Sequence, residues 1–248
     1  MKKIILCIAI LALVIVGCKK DAINPSSSSS ASGSSKILKE TSYSLINDTI
    51  ISDSSVTTYV YDSKGRLISQ VNEGEGYTTN YNYVSASLLT ILSKSTYNDS
   101  TNTSEKINVI LDSKGYATKY YNDLDKDTMF LYYSPDGFLK GNDNQIFEVK
   151  DGNVIKQSNA TYEYYLDKIN TIGNSNKGIY FIGKDSKNLV KSEKYTSSSP
   201  NGGSSISEYS YTYEFDSKKR VVKSTRTPIN TVGSIGYEVS ITKYQYSN

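Results

Sequence analysis

The tripeptide Asp-Ser-Lys occurs four times in this 248-residue chain, each time next to short runs of β-branched or aromatic residues. Tyr59-Val60-Tyr61 leads into Asp62-Ser63-Lys64-Gly65, and Arg66-Leu67-Ile68-Ser69 follows. Val109-Ile110-Leu111 leads into Asp112-Ser113-Lys114-Gly115, and Tyr213-Glu214-Phe215 into Asp216-Ser217-Lys218-Lys219. Asp185-Ser186-Lys187-Asn188 precedes Leu189-Val190, while Ser134-Pro135-Asp136-Gly137 and Lys150-Asp151-Gly152-Asn153 read as variants. The chemistry is that of a hairpin turn closed by a bulge. Asp accepts hydrogen bonds from backbone N–H groups two residues on, and the fourth residue needs φ > 0. Gly meets that demand freely and Asn tolerates it; Lys219 carries strain there.

Alternation on the flanks agrees with antiparallel hairpins. Tyr209, Tyr211, Tyr213 and Phe215 share one face, with Ser210, Thr212 and Glu214 on the other. Tyr81 and Tyr83 alternate with Asn80 and Asn82, and Ile107, Val109 and Leu111 with Asn108 and Ile110. Antiparallel sheets with one wet face read this way; parallel βαβ sheets do not. No helical apolar spacing is sustained after residue 18. The runs between turn signals predict an all-β, up-and-down meander of about 12–14 strands.

The N-terminus has a different logic. Lys2 and Lys3 precede an apolar run from Ile4 to Val16, which ends in Ile15-Val16-Gly17-Cys18. The run is too short to span a bilayer and has the form of a signal-peptide core. The tetrapeptide resembles the lipobox of bacterial lipoproteins. That resemblance implies a diacylglycerol on the Cys18 thiol and cleavage before it, so that residues 1–17 are a signal peptide. Cys7, the only other cysteine, falls in the removed piece, which leaves no disulfide or thiol chemistry. Residues 18–35 are then the lipidated Cys and a Ser-rich tether, DAINPSSSSSASGSS from Asp21, able to reach roughly 20–25 Å. Residues 36–248 form a single Tyr-rich antiparallel β domain. Without Lys2 and Lys3 the 28 Lys+Arg fall to 26 against 25 Asp+Glu, so no nucleic-acid partner is expected.

Tyr61-Asp62-Ser63-Lys64-Gly65-Arg66-Leu67 looks like the YD repeat of RHS-type shell proteins. With the lipobox, the Ser-rich tether and degenerate hairpins at irregular spacing, the chain resembles a family of uncharacterised bacterial lipoproteins described as having a porin-like fold. The resemblance covers roughly residues 36–248 and implies a curved sheet or incomplete barrel. It brings no catalytic residues. A membrane-spanning barrel fits poorly, because the apolar faces are short, Tyr-heavy and interrupted.

The chain has no His, which removes the commonest general base and metal ligand. No Gly-x-Ser-x-Gly elbow occurs. Asn122-Asp123-Leu124-Asp125-Lys126-Asp127 alternates oxygen ligands, yet Thr128 and Ser134 stand where a calcium loop wants Gly and Glu. It reads as a hairpin tip. No metal, cofactor or catalytic residue is assigned. Asp48-Thr49-Ile50, Asp99-Ser100-Thr101 and Asp127-Thr128-Met129 resemble an O-glycosylation acceptor of some Gram-negative bacteria. The 23 Tyr with no Trp read first as a thin core whose hydroxyls reach water, second as a stacking platform for sugars or a groove for a peptide.

The expectation is a non-catalytic glycan- or protein-binding module, held at the outer membrane by lipid on Cys18, using a concave sheet face or an exposed edge. Its face, periplasmic or cell-surface, is left open. The alternatives are a carboxylate-dependent glycan hydrolase and a structural subunit of an envelope complex.

Overall fold

The computed structural model describes residues 35–47, 49–50, 54–95, 104–122, 127–198, 204–231 and 238–247. The expected signal peptide, Cys18, nearly all of the expected tether and most of the candidate calcium loop lie outside the described residues, as do Asp48 and Asp99-Ser100-Thr101.

Strands β1 (Ile37–Ile46), β2 (Thr49–Ile50), β3 (Ser55–Tyr61), β4 (Leu67–Asn72) and β5 (Tyr77–Tyr83) open the chain. They are followed by β6 (Leu88–Ser95), β7 (Ser104–Leu111), β8 (Ala117–Asn122) and β9 (Thr128–Tyr133). Next come β10 (Leu139–Asn142), β11 (Gln145–Lys150), β12 (Asn153–Gln157) and β13 (Ala160–Ile169). The last four are β14 (Asn188–Ser198), β15 (Ser204–Phe215), β16 (Val221–Thr231) and β17 (Val239–Tyr246). The meander is as expected, with seventeen strands in place of twelve to fourteen. The surplus comes from pieces that carry little strand signal. β2 has two residues, and β10 is four residues that include Gly141 and Asn142.

From β3 onward each strand pairs with its successor, and the ring closes where β17 pairs with β1 from Ile37↔Tyr246 to Leu45↔Val239. β1 meets β3 on its other side, and β2 only extends past the end of β3. Sixteen strands therefore form a closed barrel. Closure pairs every strand of the ring on both sides and leaves no strand with a wholly free edge, although the pairing is short between β12 and β13 and ends at Arg226 between β16 and β17. Edge recognition, one of the two modes expected from the sequence, finds no wholly free strand here.

The turn chemistry is realised in detail. Asp62 Oδ1 accepts from the N–H groups of Lys64 and Arg66, both at 2.9 Å. Asp112 and Asp216 do the same for Lys114 and Lys218. The fourth residues have φ of 72° at Gly65, 83° at Gly115 and 60° at Lys219, and the ladder slips by one residue after each turn. Burial pulls the Asp62 carboxyl up, but these N–H bonds and the Arg66 charge outweigh it and hold the group below its usual range. Ser134 replaces Asp in the variant turn, its Oγ accepting from Phe138 N–H, and Asp151-Gly152 make a two-residue turn with both φ positive. The Asp185 copy is different. It belongs to a long connection between β13 and β14, and Asp185 accepts from the Asn174 N–H across that connection. Asn188 is buried and begins β14, so this copy is no hairpin turn.

Lys219→Gly is expected to be neutral or to stabilise by up to ~1 kcal/mol, because left-handed strain is relieved while unfolded-state entropy rises. Gly65→Val should cost about 1–3 kcal/mol. Urea midpoints check both; a larger loss for Lys219→Gly than for Gly65→Val would contradict the turn assignment.

Candidate functional site

All turns that follow the Asp-Ser-Lys pattern lie at one end of the barrel, together with the start of β1 and the end of β17. Residues 170–187 cross that end. Ile37 N–H donates to Asn176 O and Leu67 N–H to Gly178 O, while Lys184 and Lys187 N–H donate to Gly137 and Gly152 O. Val221 N–H donates to Thr171 Oγ1, and Tyr246 Oη to Thr171 O. A segment bonded to strands all round the ring must span its mouth. It is a plug. Its 3₁₀ turn, Tyr180–Ile182, drives Phe181 into Leu89, Val109, Leu111, Ala117 and Leu131. Ile172 and Ile179 pack against Ile37, Tyr59 and Leu67.

Contact with the plug fixes which residues face inward, and strand alternation assigns the rest. The inner wall carries Tyr59, Tyr81, Tyr162, Tyr195, Tyr211 and Tyr244. Most keep partial exposure, so the space inside the ring is wetted. The Tyr faces read from the sequence thus line the interior, which serves as the core around the plug and as a polar-aromatic wall beyond it.

Two charge pairs punctuate that wall. Glu193, only 7% exposed, takes the Arg226 Nε at 2.7 Å. The Arg226 guanidinium lies 3.3 Å from the Tyr209 ring centroid, and Tyr195 donates to Glu193 Oε2 at 3.4 Å. Strand register explains the meeting, since Glu193 is opposite Tyr209 and Tyr211 is opposite Arg226. Burial first, then the Glu193 charge, hold the Tyr211 hydroxyl well above the ordinary phenol value, so it stays a neutral donor. Nearer the plug, Glu40 receives Tyr59 Oη at 2.8 Å and the Lys177 ammonium at 2.9 Å. Beside it is a cavity of about 320 Å³ lined by Ile172, Asn174, Lys177, Asp185, Asn188 and Tyr213. Among the described residues no group of three His, Cys, Asp or Glu converges to hold a metal ion.

The sequence named none of these inner-wall residues as a site. Fixing the Asp216 turn fixes the register that puts Arg226 opposite Tyr211, whereas placing Glu193 needs the β14–β15 register as well. The Tyr faces read from the sequence, first as core and second as a stacking platform, are here closed on themselves.

Burial holds the Asp185 carboxyl above its ordinary 3.8, and the Asn174 N–H and Lys177 only partly offset this. A raised carboxylate pKa means the folded state holds its proton longer than the unfolded chain. The associated stability is therefore complete below pH 3.8 and is lost as pH rises through the raised value. Asp185→Asn should flatten that descent. Urea midpoints of both proteins, measured across the acid range, check it; parallel curves would contradict the assignment.

The outer wall is mixed, with Leu92, Phe130, Tyr132 and Ile146 exposed beside ion pairs. Lys194 pairs with Glu208 and Lys223 with Glu214, both at 2.8 Å, and Lys156 with Glu148 at 3.2 Å. Asn80, Asn82, Lys94 and Lys243 are exposed between them.

No protein-family model matches the chain, and no curated protein matches it. Among solved structures, a porin-like protein from Bacteroides uniformis aligns with a TM-score of 0.57 at 15% identity, over 85% of this chain and 96% of that one. A porin-like protein from Bacteroides vulgatus aligns over 86% and 99% at 12% identity, with a TM-score of 0.28. The first likeness supports the fold: a closed antiparallel barrel of porin-like form, as the resemblance read from the sequence implied in coarser terms.

Proposed function

We propose that this chain is a non-catalytic binding barrel of the cell envelope, anchored at the outer membrane through lipid on Cys18, which takes a glycan against its inner wall. The observation that carries the reading is the Glu193–Arg226 pair stacked on Tyr209 among Tyr162, Tyr195 and Tyr211. Sugars are bound by ring faces that stack on their C–H groups and by charged groups that share their hydroxyls. The ring offers a peptide no wholly free strand to pair with, which favours a glycan over the protein ligand.

The barrel stands in water on this reading. A spanning barrel needs an apolar outward band about 25 Å tall, and a Lys or Arg at the bilayer midplane costs roughly 2–4 kcal/mol. Here the tyrosines and aliphatic groups that meet the plug point in, while the outer face mixes ion pairs with exposed apolar side chains on separate strands, among them Leu92, Phe130, Tyr132 and Ile146. Catalysis is disfavoured because Glu40 and Glu193 each meet a cation, which spends the carboxylates a hydrolase would use.

The test is retention of the purified protein on immobilised envelope and host polysaccharides, with release of reducing ends scored separately. Retention should fall about tenfold or more in Arg226→Ala and in Tyr209→Ala, a loss of about 1.4 kcal/mol. Reducing ends should stay at background. Retention indifferent to both substitutions, or cleavage that vanishes in Glu193→Gln, would overturn the reading.

A further inference from the structure

The two ends of the barrel carry opposite charge. Outside the strands, the exposed charged residues at the plugged end are Lys64, Lys114, Lys184, Lys187, Lys218 and Lys219 against Asp136 and Asp151. At the other end, the described connections expose Glu73, Glu75, Asp127, Asp143 and Glu238 and no Lys or Arg. The turn chemistry produces this asymmetry. In each Asp-Ser-Lys turn the aspartate folds back onto its own N–H groups, and Asp62 and Asp216 are neutralised by Arg66 and Arg220 at 2.7 Å. The lysine two residues on is left exposed and without a carboxylate partner among the described residues, Lys114 reaching only the Pro135 carbonyl at 3.1 Å.

Exposed apolar side chains accompany the lysines. Leu38, Val60, Val84 and Phe215, between 39% and 55% exposed, come from strand ends around the same rim. The chain ahead of Ser35 also leaves from this end, because Ile37 is bonded to the plug at Asn176 O.

We propose that the plugged end is a docking face for an anionic phospholipid bilayer, so that the barrel stands plug-down with its acidic mouth turned away. Basic turns with apolar residues between them suit a surface whose outer layer is anionic and whose next layer is apolar. Each lysine brought within a Debye length of such a surface shifts the docked-to-undocked ratio roughly fivefold. The acidic mouth is repelled by the same surface, which fixes the orientation.

The full-length protein is reconstituted in phosphatidylcholine vesicles with and without phosphatidylglycerol, and amide hydrogen exchange is followed at both ends. Amides of 64–65, 114–115 and 217–219 should slow with phosphatidylglycerol and recover in molar salt, while those of 73–76 and 143–144 stay unchanged. Lys64→Glu, Lys114→Glu, Lys184→Glu and Lys218→Glu combined should abolish the slowing, with the far-UV spectrum and thermal midpoint retained. Slowing at the acidic mouth, equal slowing at both ends, or slowing indifferent to phosphatidylglycerol would overturn the proposal. Glycan retention is measured separately, so failure of docking and failure of the binding reading are told apart.

Discussion

Gly178→Val should destabilise the protein by about 3–5 kcal/mol, the sum of a residue forced into positive φ and a clash in a packed joint. Gly178 has φ of +69°, and a Cβ there would stand 2.8 Å from Gly65 O, 2.8 Å from Leu67 N and 2.8 Å from Tyr61 Cε1. Two of those atoms are backbone and cannot step aside. Gly178 O also accepts the Leu67 N–H at 3.1 Å, so displacing the plug here opens a hydrogen bond to the wall. The urea midpoint should fall, and Leu67 and Ile37 amide exchange should quicken because both donate into the plug. A midpoint within about 0.5 kcal/mol of the parent, the scatter of an ordinary surface change, would mean the plug is not seated as described.

Phe181→Ala comes next in size, at about 3–5 kcal/mol. Phe181 is 4% exposed and is the plug's contribution to the larger interior cluster, with Tyr81 6.0 Å away ring to ring. Truncation removes most of the ring's buried area and leaves a void bounded by Leu89, Val109 and Leu131, which sit on strands whose hydrogen bonding keeps them from closing in. The loss should come with quickened exchange at the Lys184 and Lys187 amides, while Asp62–Gly65 keeps its protection, being a local turn. Loss of protection at the turn and the plug together would show that the plug is inseparable from the barrel's cooperative unit.

What the sequence makes legible is local. Asp62-Ser63-Lys64-Gly65 specifies its turn through its own side chain and its own glycine, and Tyr209 to Phe215 specifies a face by alternation. Each is encoded within a few adjacent residues, and the positive φ at Lys219 follows from its place in the same turn pattern. Closure is not legible, because Ile37↔Tyr246 joins residues from the two ends of the domain and no local pattern encodes it. The plug is hidden for a related reason. Residues 170–187 have neither the helical nor the strand period, and their Asp185-Ser186-Lys187 mimics a hairpin signal while Asp185 turns instead to Asn174. The inner pairs fall between these cases. Glu193 and Arg226 lie on Tyr-bearing faces that alternation identifies, but their meeting needs the register of three strands.

Glycan binding inside the ring and docking at its plugged end both require a barrel wall that faces water on its outside and holds its aromatic surface within. Labelling of outer-wall lysines in isolated membranes, using an amine reagent that cannot enter lipid, distinguishes this from a wall set in the bilayer. Lys119, Lys156, Lys194, Lys223 and Lys243 lie on β8, β12, β14, β16 and β17 and sample the wall from β8 to β17. The full-length protein, still membrane-bound, should label at these positions at the rates seen after detergent extraction. Protection of these lysines until detergent is added would place the wall in the bilayer and contradict a barrel standing in water.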